Sequence, residues 1–232
     1  MGAEPGTVMR VVVGRVSAGM FVALLVTGCA AGVPEPVVTP AVVWLDGEPS
    51  SELESDPWVI ATREAEVAYA VAVNSANFSD PAMSARWSSD ATTRRADQTA
   101  MDIGSGRAKA RLGPMPFEPL VVVEADDGRS AEVVGCSGLD PLLFERDVGS
   151  PRTLRPRMLY RVVLGEDGER RVTGAGSPEG YVLPSGEVFE DETCDGVEVK
   201  EALFDPPPDL QRLIDMDPED MVMPPTPSPT PR

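Results

Sequence analysis

From Pro57 onward the apolar residues Trp58, Ala61, Ala65, Ala68, Tyr69, Ala72 and Ala76 recur every three or four positions, which is the period of a helix with one buried face. Most of that face is alanine, so the helix can approach a sheet closely. Asp56-Pro57 supplies the start signal, a side-chain acceptor at the N-cap and a proline at the first helical position. Asp80-Pro81 repeats it and predicts a second helix from Pro81 to about Ser88 or beyond, with Met83 and Trp87 four apart on one side. Asp140-Pro141, ahead of LLFER, predicts a shorter third helix.

The second half of the chain changes period. Leu120 to Glu124, the turn Asp126-Asp127-Gly128 and Ala131 to Val134 read as a β-hairpin, because Asp-Gly supplies the positive φ that such turns need. Tyr160 to Leu164, Glu166-Asp167-Gly168 and Arg170 to Thr173 repeat the design. Tyr181 to Leu183 and Glu187 to Glu190, joined by Pro184-Ser185-Gly186, predict a third pair, and Val197 to Phe204 a final strand. Helices first and antiparallel hairpins after predict an α+β fold, with N-terminal helices packed on a curved antiparallel sheet.

Both ends lose the periodicity. Residues 29–55 are rich in proline, small and acidic residues and read as a tether, whereas 205–232 begin with Asp205-Pro206-Pro207-Pro208 and end in MPPTPSPTPR. Such a composition predicts a disordered tail, leaving 56–204 as the folded domain.

At the start of the chain Arg10 and Arg15 precede an uncharged apolar run from Val16 to Val26, followed by Thr27-Gly28-Cys29. Basic, then apolar, then small is the order of a secretory signal, and the run is too short for a stable transmembrane helix. Val26-Thr27-Gly28-Cys29 resembles the lipobox of bacterial lipoproteins. The resemblance implies that residues 1–28 are a signal peptide, that Cys29 carries a diacylglycerol on sulfur, and that the mature chain is anchored on the outer face of the cell membrane. The competing reading is cleavage near Ala30 or Ala31 and a free secreted product.

The 232 residues include 20 basic and 38 acidic ones, a net charge of −18, which argues against a nucleic-acid partner. There is no histidine, so Ser-His-Asp and Cys-His catalysis and His-ligated zinc are excluded. With Cys29 lipidated, Cys136 and Cys194 remain in an exported chain, and a structural disulfide is the natural reading. The alternatives are two buried thiols or a redox pair, although no Cys-x-x-Cys spacing is present to lower a thiol pKa.

The order of elements resembles the NTF2-like (cystatin-like cone) domains of exported actinobacterial lipoproteins. The matching residues are Val121, Val123, Asp127, Gly128, Ala131, Val133 and Cys136, then Leu159 to Leu164, Gly168, Arg171-Val172 and Cys194. The resemblance implies a cone that some members use as an enzyme pocket or ligand carrier and others use for binding or assembly. With no histidine and no recognisable catalytic constellation, a non-enzymatic binding or scaffold module is the leading expectation, and an envelope enzyme or small-ligand carrier the alternative.

No motif nominates a cofactor or a metal. The acidic run around Asp215 and Asp217 lacks the EF-hand glycine, and Gly135-Cys136-Ser137-Gly138 is no nucleophile elbow. Arg152, Arg155, Arg157 and Arg161 fall within ten residues that contain no acid and form a candidate anion-binding set for an envelope protein or an anionic ligand. Six more basic residues (Arg86, Arg94, Arg95, Arg107, Lys109 and Arg111) lie between positions 81 and 111. The opposing expectation is that these cations pair with the chain's own abundant acids. Oligomeric state is not legible in these residues.

Overall fold

The computed structural model describes residues 37–139, 141–144 and 157–225. The signal peptide, Cys29, Arg152, Arg155 and the last seven residues lie outside the described residues. Four helices and eight strands follow in the order β1 (Ala41–Trp44), α1 (Pro57–Ser75), α2 (Pro81–Arg86), α3 (Ser89–Gly104), β2 (Lys109–Arg111), β3 (Phe117–Glu124), β4 (Ser130–Ser137), β5 (Leu142–Phe144), β6 (Arg157–Leu164), β7 (Arg170–Gly176), β8 (Ala202–Asp205) and α4 (Leu210–Ile214). No helix among the described residues is long and apolar enough to cross a membrane.

The α+β class is as the periodicity predicts, and the local signals act where they stand. Asp56 and Asp80 accept hydrogen bonds from the backbone of Trp58 and Ala82, capping α1 and α2, each with proline in its first turn. Gly128 and Gly168 adopt φ of 63° and 83°, the left-handed geometry that closes the β3–β4 and β6–β7 hairpins. Together β3, β4, β6 and β7 form one antiparallel sheet in that spatial order. Its register sets Val122, Val133, Tyr160 and Ala175 in one cross-strand row, and Val121, Val134, Leu159 and Gly176 in the next, facing the other way.

The first row faces the helices. Val133, Tyr160, Val162 and Val172 share one core with the alanine face of α1 and with Phe78, Met83 and Trp87. A second tie is polar: the Asn74 side chain donates to the Arg111 carbonyl and accepts from the Arg111 amide, both at 2.8 Å, and so fastens the end of α1 to β2.

Four expectations are corrected. The helix expected through Ser88 stops at Arg86, because Ser88 caps a separate and longer helix, α3. Asp140-Pro141 opens no helix: residues 142–144 are β5, paired antiparallel with β2. Tyr181–Glu190 makes one isolated bridge, Val182 with Val188, and no strand pair. The domain is also wider than 56–204. Within the expected tether, β1 pairs with β8 through Val42–Phe204 and Val43–Leu203. In the expected tail, Leu213 of α4 is fully buried, Met221 is nearly so, and Val222 exchanges backbone hydrogen bonds with Ala76 and Phe78. Apolar residues spaced among prolines and acids can still fill a core when other elements leave a hole of the right shape, and composition does not report that.

Candidate functional site

The disulfide expected from cysteine count is present between Cys136 and Cys194. It pins residues 181–197 across the outer face of the sheet, where Phe189, with no exposed surface, packs on Val134 and Leu159. Arg157 holds the same segment: its guanidinium pairs with Asp191 and donates to the carbonyl of Phe189 at 2.9 Å and of Pro178 at 3.3 Å. Arg161 pairs with Glu132 across the β4–β6 ladder at 3.2 Å. Of the four candidate anion-binding arginines, the two described are therefore engaged by the chain's own carboxylates and carbonyls, and Arg157 is a fastener for a loop. Beside them the Tyr181 hydroxyl is raised to about 12, first by burial and then by its hydrogen bond to Glu132.

The second basic region is distributed by the fold. Arg86 bridges Glu64 and Glu169, Lys109 meets Asp102 at 2.7 Å, and Arg94 reaches the Thr173 carbonyl. Arg95 and Arg111 go elsewhere. The Arg95 guanidinium carbon lies 3.7 Å from the centre of the Trp87 ring and 4.0 Å from that of Tyr69, and Arg111 lies 4.4 Å from Tyr69. The rings themselves are edge to face, 6.0 Å apart, and the Trp87 indole donates to the Ala65 carbonyl at 2.7 Å, which fixes it against α1.

Beneath this stack sit two buried polar groups, Glu66 on α1 and Tyr160 on β6. The Tyr160 ring meets Phe117 edge to face, and its hydroxyl is enclosed beside the Glu66 carboxylate. Burial first, and then the negative charge of Glu66, push its pKa well above the ordinary phenol range, while Arg95 and Arg111 pull it back. Phenol, carboxylate and two guanidiniums thus occupy one electrostatic neighbourhood inside the domain. The sequence shows Arg95 and Arg111 only as part of a basic run, with Tyr69 on the buried face of a helix and Tyr160 at the start of a strand, and does not bring the four together. The recurrence of Glu66 and Tyr69 three apart within the buried face of α1 was the one available signal.

A small cleft opens on the other side of Glu66, between α1, β1, β8 and the start of β3. Trp44, Val67, Met115 and Phe117 line it, Arg63 and Lys200 stand in its wall, and its volume is about 50 Å³. That is room for a few waters or one small alkyl group. Arg63 is held by Glu54 through two hydrogen bonds, at 3.1 and 2.6 Å, and Lys200 by Glu198. Burial raises the pKa of the neighbouring Glu118 above the ordinary carboxylate range, against the lowering pull of Arg63. Among the described residues no three acidic, histidine or cysteine side chains are grouped as metal ligands.

The class these observations define is an α+β domain with a four-stranded antiparallel sheet and two two-stranded ones among the described residues, helices on the inner face of the larger sheet, a disulfide-pinned loop on its outer face and a charged, aromatic interior. No family model, no curated protein and no solved structure matches the chain.

Proposed function

We propose that this chain is a lipid-anchored module on the outer face of a bacterial cell membrane, exported by residues 1–28, held through Cys29, and built to bind or scaffold. Its domain is NTF2-like in this reading, with helices over the concave side of the sheet. The observation that carries the non-enzymatic part is the filling of that side by Trp87, Phe117, Tyr160 and Val162, each of them almost fully buried. An enclosed substrate site is usually several hundred Å³, and the cleft of about 50 Å³ is far smaller. A small-ligand carrier is the second reading, favoured by the buried pair Glu66 and Tyr160 behind that cleft.

The anchor is tested by the intact mass of protein extracted from its native membrane, beside a Cys29→Ala variant and with and without reduction. A diacylglycerol increment lost in the variant is the expected result. An unmodified chain cut near Ala30 or Ala31 would replace the anchored module with a free secreted domain.

A further inference from the structure

We propose that the outer edge of β1 is a self-association surface, where a second copy of this chain adds its own β1 antiparallel across a two-fold axis at Val43. The inference gives the scaffold reading a partner and rests on that half of it, independent of the lipid anchor.

The hydrogen-bond parity of β1 leaves one edge open. The Leu45 amide donates to the Glu201 carbonyl at 3.0 Å, and the register continues as Trp44 with Ala202 and Val43 with Leu203. Alternation in an antiparallel ladder therefore directs the backbone groups of Ala41, Val43 and Leu45 to β8 and those of Val42 and Trp44 away from it. On the far side of β8 the Phe204 amide donates to the Leu112 carbonyl at 2.7 Å, so β1 is the outer strand. Among the described residues nothing bonds to the backbone of Val42 or Trp44 at that edge.

Other edges are guarded. The free side of β3 starts at Pro119 with a register shift and ends in Glu124, and β7 is met by Ser88, whose amide donates to the Val172 carbonyl, and by Arg94 at Thr173. β1 has no such device: residues 37–45 (VVTPAVVWL) carry no charge in a chain of net charge −18. Its side chains alternate, with Val42 and Trp44 turned inward and Ala41, Val43 and Leu45 exposed, Val43 at 47% and Leu45 at 53%.

The strand is complementary to itself. With the two-fold axis at Val43, Val42 stands opposite Trp44 of the second copy, and each such pair exchanges two backbone hydrogen bonds through the groups left free. On the exposed face Val43 meets Val43 and Ala41 meets Leu45, an unbroken apolar row. The nearest acid, Asp46, falls opposite Pro40, so no acid of the strand or its flanks meets an acid. A strand from an unrelated protein would have no reason to match both the parity and the row.

A single added strand pair is a small interface, so the test is covalent trapping. The full chain carrying Cys29→Ala, with Cys136 and Cys194 bonded to each other, receives Val43→Cys and is oxidised with copper phenanthroline. Position 43 is a non-hydrogen-bonded pair across the axis, with Cα atoms about 4.5 Å apart, within disulfide reach. A dimer on a non-reducing gel is expected. Leu45→Cys alone should give none, because the two copies of residue 45 lie about 14 Å apart in this register. Ala41→Cys with Leu45→Cys in one chain should be trapped, and adding Val43→Glu should cut that yield about fivefold or more by opposing two like charges. Residue 43 is exposed, so the unfolding midpoint of the Val43→Glu chain should not move. Trapping should also rise with sodium chloride, which screens the repulsion between two anionic copies. No dimer from Val43→Cys, or equal yield from Leu45→Cys or from the parent, overturns the proposal. So does a yield that falls with salt or is indifferent to Val43→Glu. Because the anchor is read by mass and the edge by trapping in a chain without Cys29, each can fail alone.

Discussion

The two faces of the four-stranded sheet are covered in different ways. On the inner face α1, α2, α3 and α4 supply a continuous core, from Trp58 near one end to Leu213 and Met221 from the far end of the chain. On the outer face the cover is the segment 181–197, with a single β-bridge, one fully buried side chain, Phe189, and most other positions exposed. An amphipathic helix is held everywhere along its stripe, whereas an irregular loop is held only at points. Here those points are the Cys136–Cys194 bond, Phe189 and Arg157. The inner cover should therefore fail cooperatively with the domain, and the outer cover should open alone.

The largest effect is expected on the inner face. Trp87→Ala removes a ring at 1% exposure that packs against Tyr69 of α1 and Arg95 of α3, and should cost about 3–5 kcal/mol in denaturant unfolding. A loss below about 1 kcal/mol would mean that the inner core is loosely packed. Replacing both Cys136 and Cys194 by Ala opens a loop of 58 residues and should cost about 2–4 kcal/mol. Hydrogen exchange should place the local part of that loss in residues 181–197 while the amides of α1 stay protected. Uniform loss of protection would erase the distinction between the two covers.

Arg157→Gln tests whether the outer loop has a second, non-covalent fastening. It should cost about 1–2 kcal/mol, with faster exchange at Phe189 and its neighbours even when the disulfide is intact. The smallest effect lies at the β6–β7 turn. The Arg171 guanidinium beside Asp167 lowers that carboxyl from 3.8 to about 2. Because the folded value is depressed, the stabilisation is present above about pH 4 and is lost as pH falls through about 2. An Asp167→Asn variant should thus approach the parent as pH falls to 2 and below and lie slightly under it at pH 5, and since Asp167 is fully exposed the gap should shrink with salt.

The legible parts of the fold are those fixed by neighbours in sequence. Asp-Pro pairs cap α1 and α2 at the expected residues, Asp-Gly turns close both hairpins, and Cys136 and Cys194 form the expected bond. The same rule misled where the third Asp-Pro stood: capping chemistry permits a helix after Asp140, but pairing of Leu142–Phe144 with Lys109–Arg111 overrode it. The candidate site was legible only as a surplus of arginine. Which arginine meets an acid depends on neighbours 29 and 34 residues away in the chain, Glu132 on the adjacent strand for Arg161 and Asp191 in the outer loop for Arg157.

By itself, then, the sequence determined the α+β class, the starts of α1 and α2 and the turns of the β3–β4 and β6–β7 hairpins, because each depends on a few adjacent residues, and it anticipated the bond between Cys136 and Cys194. Only the tertiary structure decided that Ala41–Trp44 and Leu210–Met221 belong to the domain, and that Arg157 fastens a loop while Arg95 lies between two rings beside Glu66 and Tyr160. Burial and charge pairing are properties of packed neighbours far apart in the chain, and no local pattern of hydrophobic and polar residues encodes which of them will meet.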